Sequence, residues 1–198
     1  SYTSLNDKTM FEMLYYCGLR NQWILFLQWS DIDWKNKQVS ITKQANSVKD
    51  SQKYYELTPP KTSKSIRTLP LTDILYNDLV NLYNEKKKYY GFNDKWFVFG
   101  EVDPLTFGMM HRINKRIAEK ADIRRIPLHS FRHSCASLLI NTGQPPTTVS
   151  KYLGHASTKE TLDTYAHMFP NNLGDVKNTI DNIARSEERF SRNAETDI

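Results

Sequence analysis

Four side chains between positions 129 and 165 are of the types needed to handle a phosphodiester: His129, Arg132, His155 and Tyr165. A guanidinium holds phosphate oxygens, an imidazole moves protons, and a tyrosine hydroxyl can attack phosphorus. His129 and Arg132 are three apart, so they share one face at the start of an expected helix, with Ser130 or its neighbour placed to cap the turn. A helix start that holds a His and an Arg favours an anion. Gly143 and Pro145-Pro146 then signal turns, and Thr147 is expected to cap a short helix ending at Leu153-Gly154, with His155 just past the break. Tyr165 falls ten residues after His155, on one more expected helix.

Taken singly, each of these is an ordinary helix or core residue; their combination and order carry the argument. His129-x-x-Arg132, Leu153-Gly154-His155 and Tyr165 resemble, in that order, the catalytic core of the tyrosine recombinases, also called phage-type integrases. The resemblance covers residues 7–170. It implies that Tyr165 attacks the scissile phosphate of duplex DNA, forming a 3′-phosphotyrosyl link and freeing a 5′-hydroxyl. Gly18-Leu19-Arg20 and the segment Trp29 to Asp33 are similar to the family's first catalytic block, which makes Arg20 and Arg132 the two halves of a phosphate clamp. By the same resemblance His129 is the general base and His155 a hydrogen-bond donor to the phosphate. A hairpin lysine acts as general acid, mapping onto Lys61 beside Thr62, with Lys64 the alternative. In one place the chain departs from the pattern: the family has an acidic residue three positions after the first arginine, and Trp23 stands here, so something else must orient Arg20.

The rest of the chain is expected to position these groups. With 198 residues, of which 39% are hydrophobic, it can bury one core. A first helix is expected from Asp7 to Cys17 with Met10, Phe11, Leu14 and Tyr15 on its stripe, ended by Gly18; a second apolar helix holds Ile24, Leu25 and Leu27, and Trp29 to Asp33 reads as an exit loop. Strands are expected at 37–43, 53–58 and 65–69, forming a small three-stranded antiparallel sheet. Thr72 is placed to cap a helix carrying Leu75, Leu79, Leu82 and Tyr83, and Asp103-Pro104 to open a helix whose inner side is Phe107, Met110, Ile113 and Ile117. The fold class is therefore α/β, mainly helical; the resemblance makes it a DNA breaking-rejoining catalytic core. Residues 1–170 are expected to form that catalytic domain and 171–198 a C-terminal helix and tail, with the family's N-terminal DNA-binding domain absent from this chain.

The net charge of +5 and a pI near 9.1 agree with a phosphate-rich partner. Lys64, Arg67, Arg112, Lys115, Arg116 and Lys151 are candidate contacts to double-stranded DNA, where each would add affinity without sequence information. The two cysteines, Cys17 and Cys135, read as buried thiols of a reducing compartment, and a soluble protein of a bacterial cytoplasm is expected. Metal chemistry is not expected. His129 and His133 are four apart, but no Glu follows the first, and Arg132 between them repels a cation. There is no glycine-rich phosphate loop, and no cofactor is implied. A type IB topoisomerase and a non-cleaving DNA-binding regulator are the rival readings; the closeness of Leu153-Gly154-His155 to Tyr165 favours the recombinase of a mobile element, such as a prophage or conjugative transposon. In the tail, Leu173, Val176, Ile180 and Ile183 form one apolar stripe, expected either to fold back on its own domain or, as the resemblance implies, to dock on a neighbouring protomer of a DNA-bound tetramer.

Overall fold

Helix α1 (Leu5–Tyr16) begins where the Ser4 hydroxyl accepts the Asp7 N–H at 3.1 Å, and it buries Met10, Met13 and Leu14 completely. It stops because Gly18 takes a left-handed conformation, φ 56°, after which the chain re-enters a five-residue helix, α2 (Asn21–Leu25). This is a computed structural model, and it describes residues 3–47, 55–58, 65–169 and 177–186. By its contacts the chain divides into two units, Ser1–Ala166 and His167–Ile198.

In the first unit β1 (Ile32–Asp33), β2 (Gln38–Ile41) and β5 (Arg67–Pro70) form an antiparallel sheet in the order β1-β2-β5, with Val39 opposite both Ile32 and Leu69. Alternation sends Val39, Ile41 and Leu69 into the core. A separate two-stranded ribbon pairs β3 (Gln44–Ser47) with β4 (Tyr55–Thr58). The three-stranded sheet thus exists with a different membership from the expected one. The strand near 53–58 lies in the ribbon, and its place is taken by Ile32–Asp33, which the sequence suggested was an exit loop. Two residues are too few to show an alternating pattern; β2 supplies the ladder that makes them a strand.

Helix α3 (Asp73–Lys86) is capped by Thr72 and buries Leu75, Leu79 and Leu82, as the pattern required. Helix α4 (Phe107–Lys120) starts later than Asp103-Pro104 suggested, because Thr106 is the residue whose side chain accepts an N–H, from Met109 at 3.2 Å. Its inner side is Met110, Asn114 and Ala118, while Phe107 is exposed against His111. Three helices then bring the C-terminal motifs together: α5 (Leu128–Asn141), α6 (Pro146–Leu153) and α7 (Thr158–Tyr165). Pro127 and Pro145 occupy the N-cap positions of α5 and α6, so neither Ser130 nor Thr147 is the cap; Pro146 fits the first turn of α6 because its missing N–H would have no helical partner. Helix α1 packs against α3 and α5, and α6 against α5 and α7, so the first and last motifs meet across one core.

In the second unit, residues 177–186 are helical and carry exposed Ile180 and Ile183. Leu173 and Val176, the other half of the expected stripe, lie outside the described residues. Among the described residues no helix is long and apolar enough to cross a membrane.

Candidate active site

Two left-handed glycines allow the site to close. A Cβ on Gly18 would stand 2.6 Å from Leu153 Cδ2 and 3.0 Å from Cys135 Sγ, so a glycine is needed both for φ and for the approach of α5 and α6. Its carbonyl accepts a hydrogen bond from Arg132 Nη1 at 2.7 Å. Gly154, φ 68°, ends α6; a Cβ there would meet Arg67 Nη1 at 2.7 Å. Arg67 passes that point to donate from Nε to the Tyr152 carbonyl at 2.8 Å, and the Tyr152 hydroxyl in turn donates to the Tyr16 carbonyl at 2.9 Å. The turn after α1 and the turn after α6 are thereby tied to the same arginine-rich space.

Three guanidinia, not two, gather there. Burial, then Arg132 and Arg20, pull Arg67 well below the usual guanidinium range; burial and Arg20 act the same way on Arg132. Arginine stays charged regardless, so a desolvated cluster of like charges favours an anion. Nη2 of Arg67 and Nη2 of Arg132 are buried without hydrogen-bond partners, a state that an oxygen-bearing anion would relieve. Arg67, expected as a surface contact to a DNA backbone, is instead half-buried beneath the site.

Trp23 answers the question of what holds Arg20. The guanidinium carbon of Arg20 lies 4.8 Å from the centroid of the Trp23 ring, and that of Arg67 lies 4.7 Å from it. Arg20 also stands 3.6 Å from Glu160 on α7. A neutral aromatic face thus supports two cations where an acidic side chain would have neutralised one.

His155 is buried just beyond Gly154, with Nδ1 2.7 Å from the Thr161 hydroxyl and Nε2 3.7 Å from Glu160. Burial, and then Arg132, lower it to about 4, so the imidazole is neutral at pH 7. If Thr161 donates to Nδ1, the ring proton sits on Nε2, the nitrogen nearer Glu160. Tyr165, the last residue of α7, is only 5% exposed. Its hydroxyl is 2.6 Å from Nδ1 of His133. Burial holds this phenol above its ordinary range, with Arg132 pulling it back.

His133 is the residue that sequence reasoning missed. The sequence offers it only as a metal ligand, yet its place directly after Arg132, on the helix that brings its ring to Tyr165, is the available signal. Like His129 it is exposed, and partial desolvation of the ring, then His129 and Arg132, lower its pKa. His129, expected as the base for Tyr165, is exposed and touches the ring of His133 edge-on, with centroids 5.6 Å apart. Lys61 and Lys64 lie outside the described residues. Of the remaining candidate contacts, Lys151 is exposed on α6 and lines a cleft of about 580 Å³ that also borders Arg67 and His155. Arg112, Lys115 and Arg116 lie on α4 outside this site; Lys115 pairs with Glu119, and Arg116 with the buried Asp7 of α1.

The fold and the site together define a helical domain built around an arginine cluster and a buried tyrosine, and comparison with known proteins assigns its class. The profile of the phage integrase family matches residues 1–172, and the chain belongs to that family. It is 31% identical over 183 residues to the ICEBs1 integrase of Bacillus subtilis, covering 89% of this chain and 49% of the relative. It is 27% identical to the transposase from transposon Tn916 of Enterococcus faecalis, covering 87% of this chain and 45% of the relative. The chain therefore spans about half the length of the curated relatives it matches. Among solved structures, the Tn1549 transposon integrase in complex with transposon right end DNA superposes with a TM-score of 0.66 at 21% identity, covering 89% of this chain and 58% of that one. The catalytic domain of bacteriophage HP1 integrase gives 0.52 at 18% identity, over 86% and 79%. These structural likenesses establish the fold.

Proposed function

We propose that the chain is the catalytic part of a site-specific DNA recombinase of a mobile element, cleaving and rejoining duplex DNA through Tyr165. The observation that carries this reading is the Tyr165 hydroxyl, held 2.6 Å from the His133 ring in a site where three guanidinia repel one another. Arg20 and Arg132 take the non-bridging oxygens of the scissile phosphate, and His155 donates to the same group from Nε2. The Tyr165 proton passes to His133, with His129 next to it on the same helix face, and the phenolate oxygen bonds to phosphorus. The bond from phosphorus to the 5′-oxygen breaks as Lys61, or Lys64, supplies the proton that the leaving oxygen needs. The 3′-phosphotyrosyl link keeps the energy of the broken ester, so a second 5′-hydroxyl can reverse the step without a cofactor or metal ion.

The division of contacts at Ala166 and His167 supports assigning residues 1–170 to the catalytic domain and 171–198 to a separate helix and tail. Double-stranded DNA as partner is supported by relatives whose structures are DNA complexes, and assembly as a tetramer on DNA in a bacterial cytoplasm belongs to the same reading. The test is covalent trapping on a nicked suicide duplex selected from a random-sequence pool, in the presence of a chelator. The intact chain gives a protein-linked strand; Tyr165→Phe, which removes only the attacking oxygen, gives none while still binding DNA. His133→Ala lowers the yield more than His129→Ala does. A protein-linked strand from the Phe variant overturns the assignment, and a strict requirement for added metal ion overturns the mechanism.

A further inference from the structure

Glu160 occupies a position that the phosphate chemistry does not use. It lies in the first turn of α7, and its Oε1 stands 3.6 Å from Arg20 Nη2 and 3.7 Å from His155 Nε2, while Oε2 accepts the Ala156 N–H at 3.2 Å. A carboxylate and a phosphate offer a guanidinium the same pattern of acceptor oxygens, and two anions close together repel each other. The pair is open enough to exchange, since the side chains of Arg20 and Glu160 are 40% and 43% exposed. Its charge also reaches Arg132 and Tyr165.

We infer that Glu160 is a built-in competitor for the scissile phosphate: its carboxylate pairs with Arg20 and stands beside His155 in the DNA-free chain, and it is displaced when the phosphate arrives. This rests on the phosphate-binding role proposed above for those two residues. The competitor lowers affinity for any stray phosphate and leaves the site selective for a phosphate that other contacts deliver. It also keeps Arg20, which has no other fixed anion partner among the described residues, near its working position.

Glu160→Gln separates this role from simple support of the helix start, because the amide keeps an oxygen for the Ala156 N–H and removes only the charge. The measurement is a thermal-shift titration of the whole chain with inorganic phosphate at constant ionic strength made up with sodium chloride. The Gln variant is expected to reach half-saturation at about three- to fivefold less phosphate than the unaltered chain, the scale of one exposed ion pair. Adding Arg20→Gln abolishes the gain. Glu160→Asp, which keeps the charge but shortens the reach toward Arg20, gives a smaller gain in the same direction and serves if the Gln variant folds poorly. An unchanged or weaker phosphate response in the variants, or no response from any of them, overturns the inference. If the phosphate affinity rises as expected but no chain ever forms a covalent DNA complex, the recombinase reading fails while the competitor role stands.

Discussion

Arg132 and Arg20, to which the proposed function gives one task, rest on opposite kinds of support. Arg132 rises from the second turn of α5, half-buried, with Nη1 fixed to the Gly18 carbonyl at 2.7 Å. Arg20 sits in extended backbone just before α2, its side chain 40% exposed, held by the face of Trp23 and by the carboxylate of Glu160. A guanidinium locked by a buried carbonyl is preorganised and sets a fixed positive field, whereas one resting on a ring and an exposed carboxylate can change anions without disturbing the core. The rigid half belongs to the helices that carry Tyr165; the adjustable half belongs to the connection between α1 and α2.

The largest expected effect tests that contrast directly. Arg132→Met and Arg20→Met should each lower covalent-complex formation by about 10²–10³-fold, the scale of removing one preorganised donor to a developing anion. Their unfolding free energies should differ in origin though both change little. Arg20→Met leaves stability within about 0.5 kcal/mol, because an exposed pair contributes little. Arg132→Met loses the bond to Gly18 but relieves a desolvated cation among cations, so urea denaturation should show a change of no more than about 1 kcal/mol in either direction. A loss beyond about 3 kcal/mol for Arg132→Met would make that guanidinium a structural strut, and the comparison would collapse.

How much of this could be read beforehand follows the same division. The placing of His155 was legible because Gly154 ends a helix in a way that fixes where the next residue points, and the placing of Arg132 on one helix face with His129 because they stand three apart. Helix α3 was legible because Leu75, Leu79 and Leu82 repeat at helical spacing behind a Thr cap. What stayed hidden depends on partners distant in sequence. Arg67 reads as a hairpin cation until Gly154 lets it pass to the Tyr152 carbonyl, 85 positions away. Residues 32 and 33 become a strand only because β2 lies beside them. His133 becomes the partner of Tyr165 through packing across 32 positions. Trp23 breaks the family's acidic pattern, and only three-dimensional proximity reveals two guanidinia on its ring.

A middle-sized effect concerns pH and the rigid half. The folded value of His155, lowered to about 4 by burial and Arg132, lies below the ordinary imidazole value of 6.5. The unfolded chain therefore binds a proton between those values and the folded chain does not, so stability is full above about pH 6.5 and is lost as the pH falls toward 4. His133, shifted in the same direction, adds to the slope. Urea unfolding at pH 4.5 should show stability lower than at pH 7 by on the order of 2 kcal/mol from His155 alone. His155→Gln should flatten the dependence, while Arg20→Met should alter it less, because Arg132 is the largest of the charges acting on the ring, ahead of Glu160, Arg20 and Arg67. An equally steep profile in His155→Gln would move the acid sensitivity elsewhere.

The smallest expected effect sharpens the comparison most, because it alters the adjustable half without touching a charge. Trp23 is 6% exposed and packs in the core, so removing it outright would confound packing with function. Trp23→Phe keeps an aromatic ring but offers a smaller face and a weaker attraction to cations. The expected result is a loss of about 1 kcal/mol in the free energy of reaching the covalent complex, roughly fivefold in rate. A modest fall in stability from the smaller ring should accompany it. Because Arg20 and Arg67 share the ring, combining Trp23→Phe with Arg20→Met should give less than the product of the two separate losses, whereas Trp23→Phe and Arg132→Met should combine independently. Measuring both double variants by single-turnover cleavage decides the matter: coupling of Trp23 to Arg132 as strong as to Arg20 would mean that the two halves are one rigid body after all.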